Sequence, residues 1–295
     1  SVNHMILLCS YYTTIPYKIP PLHLGSGCGT LAVKQQAKND SQEDAERLWP
    51  MDREQFSAAC QKVMGTQHQR GGIGTLGEKT LHAVLKHYFE PYEDNHETNI
   101  GGYVADIVGE HGIMEIQTRN FDRLRKKLDV FLSVTTVTVV YPIPRTKWLI
   151  WIDPDTGEAG NRRKSPKTGT PCEAFQELYK IKSLLTHPNL RLLLVLLDVE
   201  EYRNLDGWSK DKKKGSTRYE RIPIALVDEI EVNSVWEYNR LIPEGLAEKF
   251  TVKDFRKASR LSQRGAGTAL NVLRSVGAVK CVDKQGNAFV YERAI

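Results

Sequence analysis

The sequence predicts an α/β fold in which helices flank a mixed sheet, followed by a small helical module at the carboxyl end. Segments with apolar residues at helical spacing alternate with short β-rich segments, in the order helix, hairpin, helix, strands, helix, strand, which is typical of an α/β sandwich. The charge is also divided. Residues 249–295 carry ten Lys or Arg and three Asp or Glu, a net charge of +7, so residues 1–248 carry −2 of the total of +5. We therefore divide the 295 residues into a poorly specified segment (1–45), an α/β domain (46–236) and a basic module (237–295).

The elements of the α/β domain follow from apolar periodicity and turn residues. A first helix is predicted over 52–64 and a second from Thr75. We then predict strands over 102–108 and 112–118, a helix over 121–132, strands over 134–141 and 148–152, a helix over 172–185, and strands over 190–199 and 222–232. In the helix over 121–132, Leu124, Leu128 and Phe131 should face the core, and Lys126 and Lys127 should face mostly outward. The basic segment 204–221 is predicted to be a loop, either solvated or in contact with phosphate.

Composition excludes several classes of protein. The five cysteines are scattered and none forms a C-x2-C pair, which argues against a zinc knuckle or a disulfide framework and for reduced thiols. The longest strongly apolar run, 190–197, is far shorter than the roughly 20 residues that cross a bilayer. We therefore expect a cytoplasmic chain that has no membrane partner.

A tight turn over 109–112 should join the strands 102–108 and 112–118. If the hairpin closes symmetrically, Asp106 lies directly opposite Glu115, and Gln117 shares their face, because side chains alternate along a strand. Ala105, Ile107, Met114 and Ile116 would then line the other face. Two carboxylates placed across a hairpin repel each other unless a cation or a shared proton intervenes. Hard oxygen ligands of this kind suit Mg²⁺ or Mn²⁺.

The order of these residues resembles a known family. A helix that carries Glu78, a hairpin that carries Asp106 and Glu115-Ile116-Gln117, and a following helix with further strands are similar to the core of the PD-(D/E)xK nucleases, the restriction-endonuclease-like superfamily. The resemblance covers residues 75–152 and at most extends to about 200. It implies a restriction-endonuclease-like sheet, a metal held by Asp106 and Glu115 with the Ile116 carbonyl as a further ligand, and Glu78 near that metal, directly or through water.

Gln117 departs from the pattern of the family, because most members have lysine at this position. A neutral amide orients a water molecule by hydrogen bonding but brings no positive charge. Lys79 or Arg123 is a candidate to replace that charge. Two structural alternatives stay open: Glu78 completes a helix capping box with Thr75, and Asp106 and Glu115 are solvent-facing residues paired with Arg119 or Arg123.

The basic module is predicted to contain helices over 252–258 and 263–275 and a hairpin whose strands cover 278–282 and 288–292. This order resembles a winged helix-turn-helix. The resemblance implies that the second helix enters the major groove of DNA and that basic residues contact phosphates. The residues expected to face DNA are Gln263, Arg264, Thr268 and Asn271, and the expected phosphate contacts are Lys253, Lys257, Lys280 and Lys284. The alternative is a module that contacts protein.

Together these features imply a metal-dependent DNA endonuclease that hydrolyses phosphodiester bonds with Mg²⁺ or Mn²⁺ and is anchored to double-stranded DNA by a winged helix. The main alternative is a nuclease-fold protein without catalysis that binds DNA or regulates it, and a third is a protein-interaction scaffold. A homodimer is left open. In a bacterium or archaeon we expect association with the nucleoid.

Overall fold

The computed structural model describes residues 49–69, 79–207 and 217–294. The segment 1–45, the predicted helix start at Thr75, Glu78 and the central part of the basic segment 204–221 lie outside these residues. The helices are α1 (Arg53–Gln69), α2 (Thr80–Phe89), α3 (Arg125–Leu132), α4 (Phe175–Leu178), α5 (Val252–Ser259) and α6 (Gln263–Ser275). The 3₁₀ helices are Glu93–Asn95, Phe121–Leu124, Pro171–Ala174, Tyr179–Leu184 and Val235–Leu241. The strands are β1 (His96–Ile100), β2 (Tyr103–Gly109), β3 (Gly112–Ile116), β4 (Val137–Ile152), β5 (Arg163–Lys164), β6 (Leu190–Asn204), β7 (Thr217–Val232), β8 (Lys249–Thr251), β9 (Val279–Gln285) and β10 (Ala288–Arg293).

The predicted mixed sheet flanked by helices is confirmed. Seven strands form one sheet in the order β1-β2-β3-β4-β6-β7, with β5 added beside β4. Strand β4 runs parallel to both β3 and β6, and the other pairs are antiparallel. One face of the sheet packs against α1 and α2 through a cluster that includes Phe56, Val84 and Ile116. The other face packs against α3 and the 171–185 region through a cluster that includes Phe131 and Phe175.

Strand β4 differs from the prediction, which placed a break over 142–147 because of its prolines. The strand is continuous from Val137 to Ile152, and Pro142 and Pro144 lie within its pairing with β6. Pairing with β3 ends at Val140, whose carbonyl accepts a hydrogen bond from the Gln117 N–H (2.9 Å). Backbone groups two residues apart on a strand point to the same side. The ring nitrogens of Pro142 and Pro144 therefore point to the same side as the Val140 carbonyl, where β3 has already ended. No ladder hydrogen bond is lost there, which is the condition under which a strand tolerates proline.

Three further helix and strand predictions need correction. Residues 217–221, predicted as part of the basic loop 204–221, belong to strand β7. The single helix predicted over 172–185 is divided into two 3₁₀ segments around the short α4, and Ile181 interrupts it with a non-helical backbone (φ −113°, ψ 22°). Strand β1 was not predicted, because His96–Ile100 contains one large apolar residue and gives no clear alternation. Helix α1 begins as predicted at Asp52, whose carboxylate accepts the N–H groups of Glu54 and Gln55 (both 2.9 Å).

The carboxyl-terminal module has the predicted elements in the predicted order. Helix α5 begins with a capping box between Thr251 and Asp254, and Ser262 caps α6 by accepting the Gly265 N–H (3.0 Å). Strands β9 and β10 form the predicted hairpin, and β8 extends it to a three-stranded sheet. Apolar residues of this module, including Phe255 and Leu270, belong to the same buried cluster as the residues of the 171–185 region. The module therefore shares its core with the α/β domain.

Among the helices that the structure describes, none combines the length and apolar character required to cross a membrane.

Candidate functional site: the acidic pair at the end of β3

The predicted hairpin is confirmed and brings Asp106 and Glu115 together, which we call the acidic pair. Ladder pairing follows the predicted register, with Val108 opposite Ile113 and Ile107 opposite Met114. Gly112 has φ +101°, and a Cβ atom there would lie 2.3 Å from the Thr136 carbonyl oxygen, so the turn requires glycine. The ladder stops one step before Asp106 and Glu115. At that point the Asp106 N–H donates instead to Glu115 Oε1 (3.2 Å), and Asp106 Oδ2 accepts the Ile116 N–H (2.8 Å).

Glu115 is deeply buried and is paired with a lysine from α3. Its side chain is 2% exposed, and its Oε2 lies 2.6 Å from Lys127 Nζ. The prediction that Lys127 faces outward is therefore wrong. Lys127 is three residues after Leu124 and four before Phe131, both buried, so the helix turns it toward the sheet while its neighbour Lys126 stays exposed. The alternative in which Arg119 or Arg123 pairs with the acidic pair is also wrong, since neither makes such a contact.

Asp106 is contacted by a histidine from the opposite side of the sheet. His82 Nε2 of α2 lies 3.2 Å from Asp106 Oδ2. Because α2 and α3 pack on different faces, the acidic pair lies at the gap between β2 and β3 and is contacted from both faces. The predicted placement of Ala105 with Ile107 is wrong in consequence: Ala105 belongs to the cluster of α3 and Ile107 to that of α1 and α2.

The pKa values of the two carboxyl groups are shifted in opposite directions. Burial, and then the charge of Asp106, raise the pKa of Glu115 to about 7, although Lys127 opposes both effects. Burial also disfavours ionisation of Asp106. The hydrogen bond and charge of His82 and the Ile116 N–H outweigh that effect, and the pKa of Asp106 is lowered. At neutral pH the acidic pair therefore carries one full negative charge and a second group that binds or releases a proton easily.

The other predicted site residues are only partly brought together. Gln117 Nε2 donates to the Arg119 carbonyl, and among the described residues the Gln117 side chain makes no hydrogen bond with Asp106 or Glu115. Lys79 contacts the Tyr219 carbonyl (3.2 Å) and Glu220 (3.9 Å), so it does not supply the charge that Gln117 lacks. Glu78 lies outside the described residues. Within the part of the chain that the structure describes, no three Asp, Glu, His or Cys side chains are grouped to hold a metal ion.

The basic module exposes most of its predicted contact residues. Gln263, Arg264 and Asn271 are exposed on α6, and Thr268 is partly exposed beside them, with its hydroxyl donating to the Arg264 carbonyl (3.0 Å). Asn271 accepts a hydrogen bond from Lys182 of the α/β domain (2.9 Å). The four predicted phosphate contacts Lys253, Lys257, Lys280 and Lys284 are exposed, and Lys280 is paired with Glu292 (2.8 Å).

Lys127 and His82, whose side chains contact the acidic pair, were not predicted as site residues from the sequence. The signal for Lys127 was its spacing from Leu124 and Phe131, which places it on the buried side of α3. His82 gives no such signal, because its role depends on where α2 crosses the sheet.

Comparison with known proteins gives a family and one relative. A family model described as "Domain of unknown function (DUF8091)" matches residues 79–233, which include α2 and all seven strands of the mixed sheet. The chain is 31% identical over 228 residues to a Treponema pallidum (strain Nichols) protein named "Uncharacterized protein", and the match covers 75% of this chain and 87% of the relative. No solved structure matches the chain.

Proposed function

Because the chain belongs to the DUF8091 family, whose function is unknown, we propose its function from the acidic pair: a metal-dependent endonuclease that hydrolyses phosphodiester bonds of double-stranded DNA. The observation that carries this proposal is the contact between a buried carboxylate, Glu115, and the ammonium group of Lys127 at 2.6 Å, with Asp106 beside them. Two carboxylates and a lysine are the residue types that the resemblance to PD-(D/E)xK nucleases requires. Here the lysine comes from α3, whereas Gln117 occupies the usual position on the strand.

The acidic pair offers oxygen ligands that fit Mg²⁺ or Mn²⁺. Within the described residues, Asp106 Oδ1 has no hydrogen-bond partner. Because the pKa of Glu115 is raised to about 7, a cation would compete with its proton at neutral pH and favour the ionised carboxylate. Asp106, Glu115 and the Ile116 carbonyl would hold the ion, and water and phosphate oxygens would complete its coordination. When bound, the ion would polarise the scissile phosphate and lower the pKa of the attacking water. Lys127 would keep positive charge beside Glu115 that the neutral Gln117 does not provide.

The basic module would hold the DNA. We propose a winged-helix arrangement in which the exposed side of α6, with Arg264, Thr268 and Asn271, faces the major groove, and Lys253 and Lys257 of α5 contact phosphates. The elements follow one another in the order that this fold requires, and the exposed residues of α6 recur at helical spacing. Because phosphate contacts dominate such binding, affinity should fall steeply with salt.

A specific observation favours a second function, DNA binding without cleavage. Both carboxylates already have a side-chain partner, His82 or Lys127, and Gln117 Nε2 donates to the Arg119 carbonyl. In this alternative the acidic pair is a structural ion-pair network, and the protein binds or regulates DNA.

A plasmid-nicking assay in Mg²⁺ or Mn²⁺ separates the two functions. We expect wild-type protein to cleave, and Asp106→Asn and Glu115→Gln to lose cleavage by at least about 100-fold while binding duplex DNA normally. Lys127→Met should lose cleavage as well, and the matched variant of its exposed neighbour, Lys126→Met, should not. Binding without cleavage in either metal would support the second function. Absence of both would contradict both proposals.

DNA binding is best tested with point variants, because deletion of the module would expose the core that it shares with the α/β domain. Arg264→Gln should weaken binding and relax sequence preference, whereas Lys257→Gln should weaken binding to all sequences and reduce the salt slope by about 1. Arg163→Gln, on the exposed strand β5, is the control. If all three variants bind as wild type does, the proposed role of the module is wrong.

A further inference from the structure

A cavity of about 220 Å³ with a strongly basic lining lies just beyond the carboxyl end of β3. Arg119 follows β3, Lys147 is on β4, and Arg218 and Arg221 are near the start of β7. Lys167 completes the basic lining, and Glu173 is the one acidic residue in it. We call this the basic cavity.

Charge in the basic cavity is only partly neutralised. Arg221 is paired with the buried Glu201 (2.8 Å) and Lys167 with Glu173 (2.9 Å). Arg119, Lys147 and Arg218 make no hydrogen bond or ion pair through their side chains with any residue that the structure describes. Lys147 is also half-buried, and burial lowers its pKa. Glu201 and Glu173 offset part of this charge, but Glu201 is already paired with Arg203 and Arg221, and Glu173 with Lys167. The excess of positive charge is unfavourable for the folded protein unless an anion binds there.

The shape and the polar groups of the basic cavity restrict the anion. Its volume admits a phosphate group but not a large apolar ligand, and the hydroxyl-bearing residues Thr118 and Tyr141 line it together with the cations. Arginine matches phosphate with two parallel hydrogen bonds, and lysine adds a point charge. We propose that the basic cavity binds a phosphate group through Lys147, Arg218 and Arg119.

Two sources can supply this group: the backbone of a DNA strand and free inorganic phosphate. The position favours DNA, a choice that rests on the proposed function. Thr118 and Arg119 follow Glu115 by three and four residues, just past the end of β3, so the basic cavity lies close to the acidic pair along the chain. The basic cavity also shares Tyr141, Lys167 and Glu173 with a larger cavity of about 430 Å³ that reaches Arg260 and Ser262, at the beginning of α6. A strand with one phosphate in the basic cavity would thus run from the acidic pair toward the basic module.

The test measures binding in EDTA, so that cleavage plays no part. Inorganic phosphate is titrated into wild-type protein and into Lys147→Gln, Arg218→Gln, Lys147→Arg and the control Arg163→Gln, with binding followed by calorimetry. A labelled DNA duplex is titrated into the same proteins at several salt concentrations. We expect Lys147→Gln and Arg218→Gln to weaken phosphate binding by about 10-fold or more, and Lys147→Arg and Arg163→Gln to retain it.

The DNA arm identifies the source. If the phosphate belongs to DNA, Lys147→Gln reduces the salt slope of duplex binding by about 1. If the slope is unchanged while phosphate binding is lost, the basic cavity binds free phosphate, and the proposal holds with that source. If Lys147→Gln and Arg218→Gln bind both phosphate and DNA as Arg163→Gln does, the proposal is wrong. A failure of cleavage in the nicking assay would contradict the nuclease but not the basic cavity, because neither titration requires metal or cleavage.

Discussion

Replacement of Lys127 by methionine tests the electrostatics of the acidic pair directly. Glu115 is 2% exposed and has the Asp106 carboxylate as a neighbour. The ammonium group of Lys127 at 2.6 Å is the main contact that favours its ionised form, and the Asp106 N–H adds a smaller effect. Methionine keeps the length of the side chain and its packing near Phe131 but removes the charge. We expect the variant to be less stable than wild type, by an amount that increases with pH.

The magnitude follows from the titration of Glu115. Its pKa is about 7 in the folded protein and 4.5 for an ordinary glutamate, so between these values the folded state binds a proton that the unfolded state releases. In wild type, the stabilisation from proton binding by Glu115 is complete below the pKa of Glu115 in the unfolded state. It is lost as the pH rises through about 7. Without Lys127 the folded pKa rises further. The loss then continues above pH 7, at up to about 1.4 kcal/mol per pH unit, or about 2 kcal/mol between pH 7 and 8.5.

Urea unfolding at about pH 6, 7 and 8.5 measures this difference, with Lys126→Met as the control. Lys126 is exposed, and its variant should stay within about 0.5 kcal/mol of wild type at each pH. The result that refutes the reasoning is a Lys127→Met variant whose free energy of unfolding changes with pH as that of Lys126→Met does. In that case Glu115 does not depend on Lys127.

Three further predictions concern the fold. Phe255→Ala should cost about 3–5 kcal/mol and still give one unfolding transition by both fluorescence and circular dichroism, because Phe255 lies in the core shared by the module and the α/β domain; two separate transitions would contradict a shared core. Gly169→Ala should destabilise the protein by about 1–3 kcal/mol, since a Cβ atom there would lie 2.1 Å from the Pro144 carbonyl oxygen. Gly267→Ala should stabilise the protein by about 0.5–1 kcal/mol, because Gly267 is within helix α6 and a Cβ atom there would have no neighbour within 4 Å. The thermal unfolding midpoints of the two variants should therefore shift in opposite directions. Ser262→Ala should cost about 1 kcal/mol in urea unfolding, because α6 loses the hydrogen bond to the Gly265 N–H, and an unchanged midpoint would show that the cap is unimportant.

The sequence predicted local features well. The turn over 109–112 was predictable because glycine at both ends of a short polar segment indicates a hairpin, and the register that brings Asp106 to Glu115 followed from alternation. The capping box of Thr251 and Asp254 was predictable in the same way, since it depends on residues three apart.

Features that depend on tertiary structure were not predictable. The prolines at 142 and 144 indicate a break in a strand, and they are tolerated only because β3 ends beside them. The predicted register placed both carboxylates on one face, but the ladder stops before Asp106, and His82 and Lys127 reach the acidic pair from helices on both faces. Periodicity in α3 indicates the buried side of Lys127 but not its partner, and the contact of His82 depends on how α2 crosses the sheet.

The core shared by the carboxyl-terminal module and the α/β domain has a mechanical consequence. Phe255 and Leu270 of the module belong to the same buried cluster as Phe175 of the α/β domain, so the module is not joined to the domain by a flexible linker alone. If α6 binds DNA and the acidic pair cleaves it, the shared core fixes the distance between α6 and the acidic pair. Cleavage would then fall at a constant number of base pairs from the bound sequence, and mapping of the cut ends would show a single offset.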